Sequence, residues 1–371
     1  MTFSRLSFES VFIDESGGNV KTPQGEYLTE GQFPVVDQGR ALIGGYTNAR
    51  ERLCGHGRPA IVFGDHTRCI KYINFPFCMG ADGVKVLRPR IDADLKYLYY
   101  FLSSLDIPSA GYDRHYKYLK RIEVVLPPLP EQRRIAAILD QADALRAKRR
   151  EALAQLDSLT QSIFVEMFGD PVKNPMVWAT RTLNQVTTKV TDGEHLNPVF
   201  SEAGMPIVMA GNVLEDRIEI ASAKKVEYSL GQQFRKKCGP EIGDLLIVGR
   251  GATIGRLCRV NQPEVFCLMG SVILLKPDRA VLNERFLSGM LALPTMHAML
   301  YNTSGSSAQQ AIYLKDVKKL ICPLPPLALQ ETFASRIQAV ESLKTTHRAA
   351  LAESDALFAS LQHRAFAGQL S

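Results

Sequence analysis

Leu126-Pro127-Pro128-Leu129-Pro130-Glu131-Gln132 is echoed 198 residues later by Leu324-Pro325-Pro326-Leu327-Ala328-Leu329-Gln330. A box that returns at a fixed distance marks an internal repeat. After each copy the chain runs without Pro or Gly, rich in Ala, Leu, Gln, Arg and Glu, so each box opens one uninterrupted helix. In the first copy Ile135, Ile138, Ala142, Leu145, Ala152, Leu156, Leu159 and Ile163 fall at alternating spacings of three and four, skipping only Arg149. In the second, Val340, Leu343, Ala350, Leu357 and Leu361 take the same slots, with His347 matching Arg149. That is heptad spacing, the seam of a coiled coil. A helix from Glu131 to Phe168 would be ~55 Å long and could not stand alone. Its natural partner is its own repeat, in an intramolecular antiparallel coiled coil with a pseudo-twofold axis. The alternative is that each helix docks on its own globular domain.

Outward from the boxes, the flanking segments also correspond. Phe33-Pro34-Val35-Val36 resembles Met205-Pro206-Ile207-Val208, and Ala60-Ile61-Val62-Phe63-Gly64 resembles Leu245-Leu246-Ile247-Val248-Gly249. Phe77-Cys78-Met79-Gly80 and Val84 to Pro89 return as Phe266-Cys267-Leu268-Met269-Gly270 and Val272 to Pro277. Short β-branched and aromatic runs broken by Gly, Asp and Asn predict strands and turns. The expected class is α+β. Two β-rich globular domains, 1–126 and 171–324, alternate with two spacer helices, 127–170 and 325–371.

Composition agrees with a multidomain globular chain. The 371 residues are 46% hydrophobic and 22% charged, enough for two or three cores, and no apolar run is long enough to span a bilayer. With no secretory leader visible after Met1, the cytoplasm is the default, and no membrane is expected as partner. The seven cysteines include no C-x-x-C pair, so neither a zinc site nor a disulfide framework is indicated. Cys78 and Cys267 match inside strands, as buried structural thiols would. The net charge of +6 is unevenly spread. Residues 1–126 carry 16 basic against 14 acidic side chains and residues 171–324 carry 18 against 13, while the helical stretches are close to neutral.

A variable β-rich domain, a P-P-L-P-E-Q box, a helix ending Phe164-Val165-Glu166-Met167-Phe168-Gly169, then a second domain and helix, resembles the DNA-specificity subunit of type I restriction-modification systems. The resemblance spans essentially the whole chain and is most specific from Leu126 to Gly169. It implies two target recognition domains, each reading one half of a split site on double-stranded DNA. It also implies helices that set the gap and recruit methyltransferase subunits, two in number, together with endonuclease/translocase subunits. The second box departs from the pattern, with Leu329 where Glu is expected, and the second tail is short, ending Ala365-Phe366-Ala367-Gly368. The physics agrees: one small domain reads only a few base pairs in the major groove, and two on a spacer would stand about one DNA turn, ~34 Å, apart.

Candidate contact residues cluster in four places. Phe63 to Tyr72 crowds polar side chains into a turn, where Arg68 can donate bidentately to guanine and His66, Thr67 and Lys71 can reach bases or phosphates. The alternative is a plain hairpin turn. Tyr112 to Tyr118 interleaves Arg114, His115 and Lys117 with Tyr116, which suits a phosphate-facing surface or a solvated face. In the second domain Arg250, Thr253 and Arg256 follow the matching strand. Ser304, Ser306, Ser307, Gln309 and Gln310 form a later loop, in which the glutamines can read adenine or the whole stretch can be a flexible connection. This loop and the Tyr112 to Tyr118 cluster correspond by position, since each leads into a Tyr-Leu-Lys, at 313–315 and 118–120. Arg235, Lys236 and Lys237 suit solvent or phosphate, and Arg146, Lys148, Arg149 and Arg150 an exposed helix face.

Enzymatic motifs fail on inspection. Asn197-Pro198-Val199-Phe200 has Val where an adenine methyltransferase box needs Pro, and no Gly-rich cofactor loop accompanies it. The Gly249 to Arg256 stretch is no Walker loop, and Asp65-His66 lacks a nucleophile. No catalytic residue, metal or cofactor is expected. The alternatives to a DNA-specificity subunit are a self-contained methyltransferase or nuclease with diverged motifs, and a coiled-coil assembly protein without a DNA role.

Overall fold

The computed structural model describes residues 3–54, 57–108, 114–215, 217–302 and 311–370. The chain divides into two compact units, Met1–Arg150 with Ala349–Ser371, and Glu151–Arg348. Each unit therefore takes one globular segment and one half of each long helix, so the division cuts across the four sequence segments.

The first unit contains β1 (Ser4–Ser7), α1 (Phe8–Val11), β2 (Phe12–Asp14), β3 (Phe33–Val36), β4 (Gly45–Thr47), β5 (Ala60–Gly64), β6 (Ile70–Ile73), β7 (Cys78–Met79) and β8 (Val84–Pro89). It continues with α2 (Leu95–Ser103), α3 (Tyr116–Leu119), β9 (Glu123–Leu126) and the start of α4 (Leu129–Phe168). The second unit follows with β10 (Thr180–Thr182), α5 (Leu183–Val186), β11 (Thr187–Asp192), β12 (Met205–Val208), β13 (Lys224–Val226), α6 (Tyr228–Cys238), β14 (Leu245–Val248) and β15 (Leu257–Arg259). Then come β16 (Cys267–Leu268), β17 (Val272–Pro277), α7 (Glu284–Leu291), α8 (Pro294–Asn302), α9 (Leu314–Lys319), β18 (Ile321–Pro323) and α10 (Leu327–Phe366).

Sheet order repeats strand for strand. The four-stranded sheet β2-β8-β5-β6 returns as β11-β17-β14-β15, the three-stranded β4-β3-β7 as β13-β12-β16, and the pair β1-β9 as β10-β18. In both three-stranded sheets the long-range pairing, Val35 with Cys78 and Ile207 with Cys267, is parallel. The two cysteines that match in sequence thus occupy one structural position, and both are buried.

The central strands are buried on both faces and divide their side chains between two cores. Ile61 and Phe63 of β5 pack with α2, whereas Ala60 and Val62 face β3 and β7. In β14 it is Leu245 and Ile247 that join the helix-side core and Leu246 and Val248 that face the other way. Ile61 lies opposite Leu87, and Leu245 opposite the equivalent Leu275. The match of Ala60 to Leu245 suggested by sequence is therefore off by one residue; Ile61 is the true counterpart. In a strand such a slip reverses which core each side chain enters, and two all-apolar runs give no period from which to read it.

The repeated box has a structural reason. Gln132 is buried, donates from Nε2 to the Pro127 carbonyl at 2.8 Å and accepts the Asp94 amide on Oε1 at 2.9 Å. Gln330 is buried too, donating to Pro325 at 2.9 Å and accepting the Asn283 amide at 2.9 Å. Asp94 and Asn283 cap α2 and α7, accepting amides of their first turns on their side chains. Each glutamine thus ties a long helix to a globular domain through groups that would otherwise be buried unsatisfied. Glu131, by contrast, pairs with Arg134 at the surface, a contact the domain junction does not need, so Leu329 can replace its counterpart without loss of the joint.

The long helices run antiparallel in each unit taken alone. In the first, Arg134 donates to the Leu370 carbonyl and Arg146 to Asp355, both at 2.5 Å. In the second, Lys344 pairs with Asp157 at 2.7 Å and Phe164 stacks edge-on against Phe333. Arg146–Asp355 and Lys344–Asp157 are the same pair in the two repeats, with donor and acceptor exchanged between helices. The apolar burial, however, is at the helix ends. Ile135, Ala136 and Leu139 enter the first core together with Ala365, while Phe358, Leu361 and Phe366 pack on its edge. Phe164, Phe168, Phe333 and Ile337 enter the second.

Several positions assigned to the heptad seam lie elsewhere. Leu145, Leu159, Leu343 and Leu357 are 55%, 44%, 52% and 53% exposed, Ile138 and Leu156 are half-buried, and of the apolar set Ile135, Ala142 and Val340 are well buried. Docking of each helix end on a globular core competes with a continuous seam and decides which face turns inward. Both helices end at a glycine with positive φ, Gly169 at +77° and Gly368 at +71°, the left-handed conformation that terminates a helix most cheaply.

Candidate nucleic-acid interface

In the first unit the residues after β5 make a tight turn into β6. Gly64 closes it by donating to the Cys69 carbonyl at 2.8 Å, and Arg68 adopts a φ of +62°. Three loops hold the turn. The Asp65 amide donates to Gly83 at 2.6 Å, the His66 amide to Gln38 Oε1 at 3.2 Å, and Thr67 Oγ1 to the Gln38 carbonyl at 2.5 Å. The Asp65 carbonyl accepts the His115 amide at 2.9 Å and has His115 Nδ1 2.9 Å away, and its carboxylate accepts the Tyr116 amide at 2.7 Å. Two clusters far apart in sequence, 65–71 and 114–118, are thus one surface, and Asp65 is the joint between them.

Within this surface the side chains divide. Thr67, Arg68, Arg114 and Lys117 are exposed and His66 is half-buried, although one Arg68 nitrogen already donates to Ile107 at 2.8 Å. Lys71 and His115 are buried, and their expected roles as contacts are corrected accordingly. The Lys71 ammonium donates to the Asp37 carbonyl at 2.8 Å, and burial lowers its pKa against the opposing pull of Asp37. Tyr116 packs against Phe8 and Phe63 under the Lys85 ammonium. Burial, helped by Asp14 and Glu9, raises its phenol above the ordinary range. Gln38 and Asp37 were not singled out from sequence, because they reach the turn only through the parallel β3–β7 pairing, which has no local signature.

The second unit uses the same frame. Gly249, the counterpart of Asp65, donates to Ser271 at 2.8 Å and accepts the Ile312 amide at 2.9 Å. Arg250 is exposed and bridges to Ala311. Thr253 Oγ1 donates to the Ala210 carbonyl at 3.4 Å, and Arg256 is half-buried. Ser304, Ser306, Ser307, Gln309 and Gln310 lie outside the described residues. A cleft of about 290 Å³ opens here, lined by Asp192, His195, Arg250, Gly270, Tyr313 and Lys315 among others. His195 Nε2 is 2.8 Å from Asp192, and Lys237 reaches the same carboxylate at 3.6 Å. Arg235 is spent on the Phe266 carbonyl at 2.6 Å. Among the described residues lining the cleft, none is a Ser, Thr or Cys. Sequence reading missed His195, Tyr313 and Lys315, although the repeated Tyr-Leu-Lys pointed towards the last two.

The model of the type I restriction modification DNA specificity domain matches the chain twice, over residues 19–155 and 176–353. The chain belongs to the type I DNA-specificity family. Among its relatives, the specificity subunit of the type I restriction enzyme EcoBI of Escherichia coli is 23% identical over 281 residues, 66% of this chain and 58% of that protein. The EcoR124I/EcoR124II specificity subunit of Escherichia coli is 31% identical over 129 residues, 31% of this chain and 32% of that one. The chain thus matches little more than half the length of the EcoBI subunit. The family fold extends over the whole chain. The S subunit of the type I restriction-modification system of M. genitalium superposes with a TM-score of 0.59 at 15% identity, covering 99% of this chain and 96% of the other. A chain from a structural study of type I complex assembly superposes at 0.51 with 18% identity, covering 100% and 98%. Among the described residues, no helix is long and apolar enough to cross a membrane.

Proposed function

We propose that the chain is the DNA-specificity subunit of a type I restriction-modification complex, in which each globular domain contacts one half of a bipartite duplex site. Residues 1–126 and 171–324 are the two recognition domains. The stretches 127–170 and 325–371 are the spacers that set the gap and offer docking surfaces to two methyltransferase subunits and to endonuclease subunits. The chain itself carries out no chemistry. One observation supports this most: two loop clusters share a hydrogen-bond frame, through Asp65 and Gly249, yet present different side chains, His66, Thr67 and Arg68 in one and Arg250 with Thr253 in the other. A shared frame with unlike rims is what reading two different half-sites requires. The excess of basic residues in both domains supplies sequence-independent attraction to phosphates.

The test has two arms. The chain assembled with its methyltransferase subunits should bind duplex DNA with an affinity that falls steeply as salt rises, and should methylate it from S-adenosylmethionine. The purified chain alone should transfer no methyl group. Transfer by the chain alone supports the diverged-enzyme reading, and the lack of salt-dependent DNA binding by the assembled complex supports a purely structural one.

A further inference from the structure

The loop between β11 and β12 turns three apolar side chains to solvent. Leu196 is 69% exposed, Val199 86% and Phe200 42%. The loop is nevertheless tied down. Glu194 turns its carboxylate onto the amides of His195 and Leu196, at 2.8 and 3.3 Å. At the other end the Ser201 amide donates to Lys225 at 2.9 Å, and the Lys224 ammonium lies 4.3 Å over the Phe200 ring. Pro198 stiffens the tip between them. His195, at its base, lines the same cleft as Arg250 and Lys315, so the tip stands beside the candidate DNA contacts.

The first unit supplies an internal control. Thr22 bridges to Gly80 as Glu194 bridges to Met269, and 13 residues later Val35 and Ile207 pair with the matching cysteines, so the two loops align without a gap. Where the second unit has Leu196, Asn197 and Pro198, the first has Gln24, Gly25 and Glu26, and Glu26 is held by Arg52 at 2.6 Å. Tyr27, half-buried, stands where Val199 points outward. Features that serve both units alike repeat, as the box glutamines and the Arg146–Asp355 and Lys344–Asp157 pairs do. Phe200 has an apolar counterpart in Leu28, 43% exposed, but the aliphatic pair Leu196 and Val199 does not repeat, which fits a ligand whose two halves differ. An asymmetric bipartite DNA site is such a ligand, and Lys224, Lys225, Arg250 and Lys315 give the surroundings of the tip the charge to approach it.

We propose that Leu196 and Val199 form an apolar contact with thymine methyl groups in the half-site met by the second unit. The thymine methyl is the one apolar group a base pair presents in the major groove, and a protruding aliphatic tip flanked by lysines is shaped to reach it. This inference rests on the DNA-reading function proposed above.

The experiment uses the chain assembled with its methyltransferase subunits and a duplex bearing the bipartite site found by methylation mapping. Each thymine of the two specified blocks is replaced in turn by uracil, which removes only the methyl group. The wild-type complex should lose about tenfold in affinity for substitutions confined to one block. A Leu196→Ser, Val199→Ser variant should bind the unmodified site about tenfold more weakly, ignore the uracils, and bind non-specific DNA as before. The proposal is overturned if the variant binds like the wild type, if it keeps the uracil penalty, or if neither block contains a sensitive thymine. Failure of the wild-type complex to bind DNA at all overturns the DNA-reading function as well, so the two failures are told apart.

Discussion

The two units share a backbone and differ at its rim. At the position of Lys85 in the first, opposite Phe63, the second has Ile273, opposite Ile247. Lys85 pairs with Asp14 at 2.8 Å and sits 4.8 Å over the Tyr116 ring, which fills the space between the strand ends and the segment entering α3. Ile273 makes no such bridge, and the cleft lined by Asp192, Arg250 and Lys315 opens in its place. One fold thus carries two surfaces, one filled and one concave, with no change in strand order or in the amide bonds at Asp65 and Gly249. Specificity can diverge at such a rim without disturbing the core, because the frame is held by backbone groups and the rim by side chains.

The contrast extends to what holds the helices. In the second unit Phe164, Phe168, Phe286 and Phe333 form a closed aromatic cluster, whereas the first uses Phe366 and Phe358 against Tyr97, Phe101 and Tyr100 at a half-exposed edge. Phe164→Ala should therefore cost about 3–5 kcal/mol in denaturant titration. Phe366→Ala, at a half-buried position, should cost less than about half of that, and equal losses would erase the distinction. Gln132→Ala and Gln330→Ala should each cost about 2 kcal/mol by stranding buried partners. The second should be at least as severe, because Gln330 also donates to Val281 at 3.2 Å. For DNA, Arg250→Ala should relax the sequence requirement at one block by about 1–3 kcal/mol. Arg68→Ala should act on the other block and more weakly, since Ile107 already holds part of its guanidinium. If both act on the same block, the assignment of one unit to each half-site is wrong. The smallest effect belongs to the repeated ion pair. Asp355→Asn and Asp157→Asn should each cost under about 1 kcal/mol, less at high salt, because both carboxylates are well exposed.

Much of the architecture is legible in sequence because it is written twice. The box, the Pro- and Gly-free helices and the paired strand motifs each confirm the other copy, and the buried Gln132 and Gln330 explain why the box persists. Side-chain direction was harder to read. Heptad spacing placed Leu145, Leu159, Leu343 and Leu357 in a seam, but a spacing rule does not include the globular cores that capture the helix ends. The strand register was hidden for a similar reason, since Ala60 to Phe63 and Leu245 to Val248 are apolar throughout. At the candidate interface, composition found Arg68 and Arg250 but overcounted Lys71 and His115, whose polar ends face inward to Asp37 and Asp65. The apolar tip at Leu196 and Val199 was visible only as a failed methyltransferase motif, and its exposure and the polarity of its counterpart came from the fold.

Mapping of methylated adenines across a genome exposed to this chain and its cognate methyltransferase tests the central claim most directly. Two units reading separately predict a motif of two specified blocks divided by a fixed stretch of unspecified bases, with Arg250→Ala altering only one block. A single contiguous motif, or methylation that does not depend on this chain, would contradict the account.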